Sequence, residues 1–288
     1  MDAALQNKLL KSQKNEITEH YVYAKLANKI KDQKNANILM QISRDELSHY
    51  NFWKNYTQKE VPANKFRIYL YVLIAQVFGL TFGIKLMEKG EQKAQISYLE
   101  LAKLLPGAQS VIDDENNHEN ELINLIQEER LNYIGAIVLG LNDALVELTG
   151  ALAGMTFAIQ NPQIIALAGL ITGIAASFSM AVALYLSERA ENSNSKPLKS
   201  ALYTGISYIL TVTLLVLPYL LIANPFISLI FTMIIAIIII LIFSFYVSVA
   251  KDLSFKHRFL EMAILNVSVA LVTFGIGALV REVFGVVV

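Results

Sequence analysis

Two short spacings in this chain are suited to holding a metal ion. Glu46-x-x-His49 lies in RDELSHYNFWK and Glu115-x-x-His118 in DDENNHENEL. Residues i and i+3 of a helix point the same way, so each pair offers one carboxylate and one imidazole. Glu16, in NEITEHYVYAKLA, and Glu88, in LMEKGEQ, add one carboxylate each from other stretches. One Glu on each of two helices plus Glu-x-x-His on each of two others is a di-iron carboxylate donor set. Two carboxylates can bridge the ions while the histidines cap the outer positions. Such a site binds Fe²⁺ and can deliver electrons to O₂ or peroxide. Glu19 and Glu91, each one turn from a proposed ligand, are alternative or additional ligands. Tyr23, two turns after Glu16, reads equally as a hydrogen-bond partner of a ligand or as bundle packing, and His20 as a surface residue. A lone Glu-x-x-His arises often by chance in acidic helices and would then mark a solvated face. Two of them, with Glu supplied from two other helices, is a far more specific pattern.

A second constellation sits in apolar surroundings. Asn142, Asp143 and Glu147 occur in GLNDALVELTG. Asp143 and Glu147 are i and i+4 and share a helix face. Two carboxylates on one buried face suit a divalent cation, or a proton exchanged for it. The rival reading starts the span later and leaves these acids at the membrane interface. Met180, in SFSMAVALY, is either a thioether ligand for a transition metal or ordinary packing.

Two kinds of element must position these groups. The chain of 288 residues is 55% hydrophobic and 17% charged, too apolar for disorder. Of its Asp, Glu, Lys and Arg, 34 fall in residues 1–130 and 14 in residues 131–288. The first part reads as a water-soluble domain, residues 1–130, with helices near Asp2–Lys31, Lys34–Gln58, Ala63–Leu105 and Ala108–Arg130. Their lengths and short connections predict an antiparallel four-helix bundle, the last helix running on into the membrane. The second part, residues 131–288, carries five apolar stretches, near Tyr133–Ile159, Ile164–Ser187, Ala201–Ala223, Phe226–Ala250 and Phe259–Phe284. Each exceeds the roughly 20 residues that cross a bilayer. The predicted fold class is all-α, a cytoplasmic bundle followed by a five-helix transmembrane domain.

Basic residues set the expected orientation. The turns at Asn161-Pro162 and Asn224-Pro225 carry no Lys or Arg, whereas Arg189, Lys196 and Lys199 follow span two and Lys251, Lys256 and Arg258 follow span four. The positive-inside rule places the two basic loops and the N-terminal domain in the cytoplasm and the C-terminus outside. The start, MDAALQNKLLKSQKNE, has no apolar h-region, so a cleaved signal peptide is not expected. There is no cysteine, which excludes disulfides and thiolate metal sites, and 24 basic against 24 acidic residues gives no electrostatic case for nucleic acid. Small residues at Gly150-x-x-x-Gly154 and Gly169-x-x-x-Gly173 allow close helix contact, within the chain or across a dimer. The segment Ile68–Ile84 has 17 residues without a charge. As a sixth span it would put the two Glu-x-x-His pairs on opposite sides of the membrane. The paired motif therefore keeps it cytoplasmic, packed in the bundle, in a dimer contact or against the membrane surface.

At these residues the chain becomes recognisable. Glu16 with Tyr23 seven residues on, Glu46/His49, Glu88/Glu91 and Glu115/His118 resemble a rubrerythrin-type ferritin-like domain. VLGLNDALVE in span one and SFSMAVALYLS in span two resemble the vacuolar iron transporter family. Fused in this order, the halves resemble the membrane-bound ferritin proteins of prokaryotes. The resemblance implies a dimeric five-helix transporter that carries Fe²⁺, and in some members Mn²⁺, out of the cytoplasm against protons. It also implies that Asp143 and Met180 line the ion path. The family's second span usually continues SMAxGEY; here Ala183 and Leu184 replace the Gly and the acid, which shifts weight to Asp143 and Glu147. Eukaryotic-type members carry a long metal-binding insertion after span two. Here that loop is only Glu188–Lys199, so the ferritin-like domain stands in as the metal collector.

The leading expectation is a divalent-metal efflux transporter in the cell membrane, with the lipid bilayer, Fe²⁺ or Mn²⁺ and a second copy of the chain as partners. Two rivals follow from the same residues. One is a membrane-anchored ferroxidase or peroxide reductase; the other makes the bundle a metal-sensing gate.

Overall fold

The structure is a computed structural model that describes residues 3–87, 89, 105, 107–113, 133–190 and 196–284. Among them are nine assigned helices: α1 (Ala3–Ala27), α2 (Gln33–Thr57), α3 (Lys65–Phe78), α4 (Ala108–Asp113), α5 (Ile134–Ile159), α6 (Pro162–Ala190), α7 (Pro197–Leu221), α8 (Pro225–Ala250) and α9 (Phe255–Phe284). Residues 80–87 are also helical. The chain divides into two compact units, Met1–Glu128 and Glu129–Val288.

In the N-terminal unit α1 and α2 form a helical hairpin. Asp32 caps α2, its side chain accepting from Asn35 N at 2.7 Å, and Gln58 ends it in the left-handed region at φ 53°. Buried residues recur on α2 at Leu39, Ile42, Glu46, His49, Trp53 and Thr57, the three- and four-residue spacing of one helix face. On α1 the matching stripe is Leu9, Gln13, Glu16, Tyr23 and Leu26. The core of Val22, Tyr23, Leu26, Ile38, Leu39 and Ile42 is completed by Ile68, Val72 and Ala75 of α3 and by Ile84 and Met87. The candidate ligands therefore occupy positions that would otherwise be apolar core.

Sequence periodicity predicts one long helix over Ala63–Leu105. The structure breaks it at Gly79, whose φ of 110° and ψ of 151° only glycine adopts readily. The chain then folds back so tightly that a Cβ on Gly83 would lie 2.6 Å from Ala75 Cβ. Had the helix run straight, residues eight apart would stand about 12 Å from one another. The 14 residues of α3 extend about 21 Å, short of a ~30 Å hydrocarbon core.

The membrane unit holds the five candidate spans found among the described residues. Their ends fall within four residues of those expected from hydropathy. Asn161 and Asn224 do more than turn the chain. Asn161 Oδ1 accepts from Gln163 N and Ile164 N, and Asn224 Oδ1 from Phe226 N and Ile227 N. Each caps its helix ahead of a proline at the first helical position, where a missing N–H costs nothing. Helix α5 is central, packing against α6, α7, α8 and α9. Its small-residue stripe is used within the chain. A Cβ on Gly154 would meet Thr273 O of α9 at 3.0 Å, and one on Gly277 would collide with the Gly154 carbonyl. Side-chain hydrogen bonds add to this packing. Thr204 donates to Ala136 O, Thr232 to Leu215 O, and the Thr156 and Tyr219 hydroxyls pair at 2.6 Å.

Candidate functional site

In the N-terminal unit the two helix stripes bring Glu16, Glu46 and His49 together. All three are buried, at 1%, 2% and 7% exposure. One donor atom from each lies within 4.8 Å of the others. His49 Nδ1 stands 3.8 Å from Glu16 Oε2 and 3.9 Å from Glu46 Oε2. Two donors each about 2.1 Å from a shared ion stand at most about 4.2 Å apart, so these separations fit one. The chemistry of the set fits as well. Two carboxylates buried side by side repel, and a divalent cation offsets that repulsion. His49 Nδ1 is buried with no hydrogen-bond partner among the described residues, a costly state that metal ligation relieves. Carboxylate with imidazole suits Fe²⁺ and Mn²⁺.

Around this cluster the helices are fastened by polar contacts. Trp53 Nε1 donates to Glu16 Oε1 at 2.9 Å. One turn along each helix, Thr57 Oγ1 donates to Gln13 Oε1 at 2.7 Å, and Gln13 Nε2 donates to Lys59 O at 2.8 Å. Tyr23 is fully buried in the core, and Glu19, 5% exposed, is buried as well. His20, expected at the surface, is instead half-buried, its Nδ1 lying 2.7 Å from Ser43 O on α2. Glu88, Glu91, Glu115 and His118 lie outside the described residues.

In the membrane unit Asp143 and Glu147 sit one turn apart on α5, with Glu147 at the middle of that 26-residue helix. Asp143 is half-buried and Glu147 is exposed on the flank of the single chain. The Tyr208 hydroxyl of α7, itself fully buried, donates to Glu147 Oε2 at 2.7 Å. Met180 packs against the core cluster that contains Ala144, Leu145 and Leu148 of α5. On a different face of α5, Asn266 of α9 donates from Nδ2 to Leu145 O at 2.8 Å and to Thr149 Oγ1 at 2.9 Å. Asn266 is 0% exposed, and its Oδ1 has no hydrogen-bond partner among the described residues.

Sequence reading passed over Trp53, Tyr208 and Asn266. The missed signal for Trp53 is spacing, since it follows His49 by four residues on the stripe that carries Glu46. Asn266 was detectable as a carboxamide inside an apolar span. Nothing local marks Tyr208, because its partner is 61 residues away.

Five apolar helices long enough to cross a bilayer, the first carrying Asp143 and Glu147 near its centre, fit a multi-pass membrane protein. Residues 134–195 and 190–278 match the VIT family, and the chain belongs to that family through its membrane half. Membership makes this a membrane transporter of metal ions of the iron and manganese class. A search of curated proteins finds no match.

Proposed function

We propose that the chain exports Fe²⁺, and Mn²⁺ as an alternative cargo, from the cytoplasm, with the N-terminal half collecting the metal. The supporting observation is that one chain carries both a buried Glu16–Glu46–His49 cluster and a VIT-family membrane unit with Asp143 and Glu147 in its first span. In this reading the N-terminal half is a ferritin-like four-helix bundle with a di-iron site. Glu16, Glu46 and His49 hold one side of it, and Glu88, Glu91, Glu115 and His118 supply the rest. Asp143, Glu147 and Met180 line the transport path, where protons exchange for the cation.

The exposed carboxylate of Glu147 supports a homodimer, because a charge facing lipid at mid-span is expensive and a second copy would cover it. The basic residues at 189, 196, 199, 251, 256 and 258 support a cytoplasmic N-terminal half and an external C-terminus in the cell membrane. The test is Fe²⁺ and Mn²⁺ flux in vesicles reconstituted with the full chain. Equal flux from wild type and Asp143→Ala would remove Asp143 from the path.

A second reading is favoured by the donor set itself. Carboxylate and imidazole around iron support oxidation of Fe²⁺ by O₂ or reduction of peroxide, with the spans as an anchor. Iron-dependent O₂ or peroxide consumption by the full chain, without flux, would select it. In a third reading the bundle gates the membrane unit. A His118→Ala variant that transports without metal dependence would support that one.

A further inference from the structure

We infer that Trp53 fixes Glu16 so that it meets a divalent cation through one oxygen only, and that this biases the site against calcium. The inference rests on the metal-binding reading of Glu16, Glu46 and His49 and adds a positioning residue to it.

Trp53 is 0% exposed and is wedged among Leu9, Ala108 and Val111. The Phe52 ring meets it edge to face, at 4.9 Å and 78°. A ring held on several sides has one direction for its N–H, and an indole can only donate. That donor is spent on Glu16 Oε1 at 2.9 Å. The other oxygen, Oε2, is the one that lies 3.8 Å from His49 Nδ1. The two oxygens of Glu16 are thus divided between a fixed donor and the cluster. For both oxygens to meet one ion, Oε1 would have to be shared between the ion and the indole N–H that fixes its direction in a buried place.

Denticity separates the candidate cations. Calcium takes six to eight oxygens and gains from bidentate carboxylates. Ions of the Mn²⁺ and Fe²⁺ type accept imidazole and need fewer oxygens. Partners that orient a ligand typically change metal affinity 10- to 100-fold when removed. The only tryptophan in the chain also places a fluorophore against a proposed ligand.

The experiment is titration of the detergent-purified full chain with Mn²⁺ and with Ca²⁺, read by calorimetry and by tryptophan emission. Trp53→Phe should raise the Mn²⁺ dissociation constant about tenfold while the Ca²⁺ constant stays level or falls. The Mn²⁺/Ca²⁺ preference therefore drops. Unchanged constants, or an equal rise in both, would overturn the inference, since a merely structural loss moves both together. Glu16→Gln keeps an acceptor for the indole and removes the charge. It should abolish Mn²⁺ quenching of Trp53. If wild type binds Mn²⁺ at this site and only the Trp53→Phe ratio stays fixed, the positioning role fails and the metal site stands. If Glu16→Gln quenches like wild type, the metal reading itself fails. Should Trp53→Phe lose its helical circular dichroism, the wild-type arm decides alone. Saturating Mn²⁺ that leaves Trp53 emission unaltered overturns the inference.

Discussion

The Tyr208 hydroxyl reaches across from α7 to hold the Glu147 carboxylate of α5 at 2.7 Å. The donor is fully buried and the acceptor lies on the outer flank of the chain. The hydroxyl therefore pins a charge that would otherwise swing freely beside the apolar surface. Hydrogen bonds between membrane helices contribute about 0.6–1.7 kcal/mol. Tyr208→Phe should lower Mn²⁺ uptake by proteoliposomes roughly threefold to twentyfold. Uptake at the wild-type rate would separate this bond from transport.

Asp143 is expected to matter more than Met180. An acid is retained inside a span at high cost, whereas a thioether packs without penalty. Asp143→Asn should reduce Fe²⁺ flux to near the background of empty vesicles. Met180→Leu, nearly isosteric, should leave most of it. A reversed order, with Met180→Leu the more damaging, would make soft-ligand chemistry the selective step.

The seam between α5 and α9 combines a polar clamp with two glycines. Asn266→Leu removes both donors to Leu145 O and Thr149 Oγ1 and should cost about 1 kcal/mol. Gly277→Val drives a branched side chain into the Gly154 carbonyl and should be far worse, with the folded chain lost on extraction. Thermal melting of the two variants in detergent measures the difference. Near-equal midpoints would show that α9 can slide to accommodate bulk.

The reversal at Gly79 makes a third stability prediction. Gly79→Ala places a Cβ in a conformation reserved for glycine and should cost about 1–3 kcal/mol. Gly83→Val adds bulk against the backbone of Ala75 and should cost at least as much. Chemical unfolding followed by Trp53 emission reports on this unit, because the chain has no other tryptophan.

The five spans were readable because hydropathy over some 20 residues is a strong local signal, and the ends of α5 to α9 follow it closely. The closeness of Glu46 and His49 was legible too, since i and i+3 share a face whatever the tertiary contacts. That Glu16 faces them depends on the α1–α2 hairpin register, which the shared apolar stripe implies and the structure realises. The break at Gly79 was missed because one glycine within an apolar run is compatible with a helix. Only the close approach of Ala75 and Gly83 reveals the reversal. Tyr208–Glu147 and Asn266–Leu145 span 61 and 121 residues, a range over which no periodicity operates.

The carboxamides of Asn161 and Asn224 have a consequence for biogenesis. They satisfy the first amides of α6 and α8 without bearing charge. The connections they form, from Gln160 to Pro162 and from Ile222 to Pro225, contain no ionisable side chain. The pairs α5–α6 and α7–α8 can therefore enter the bilayer as preformed hairpins. No ion at either tip has to be dragged through hydrocarbon.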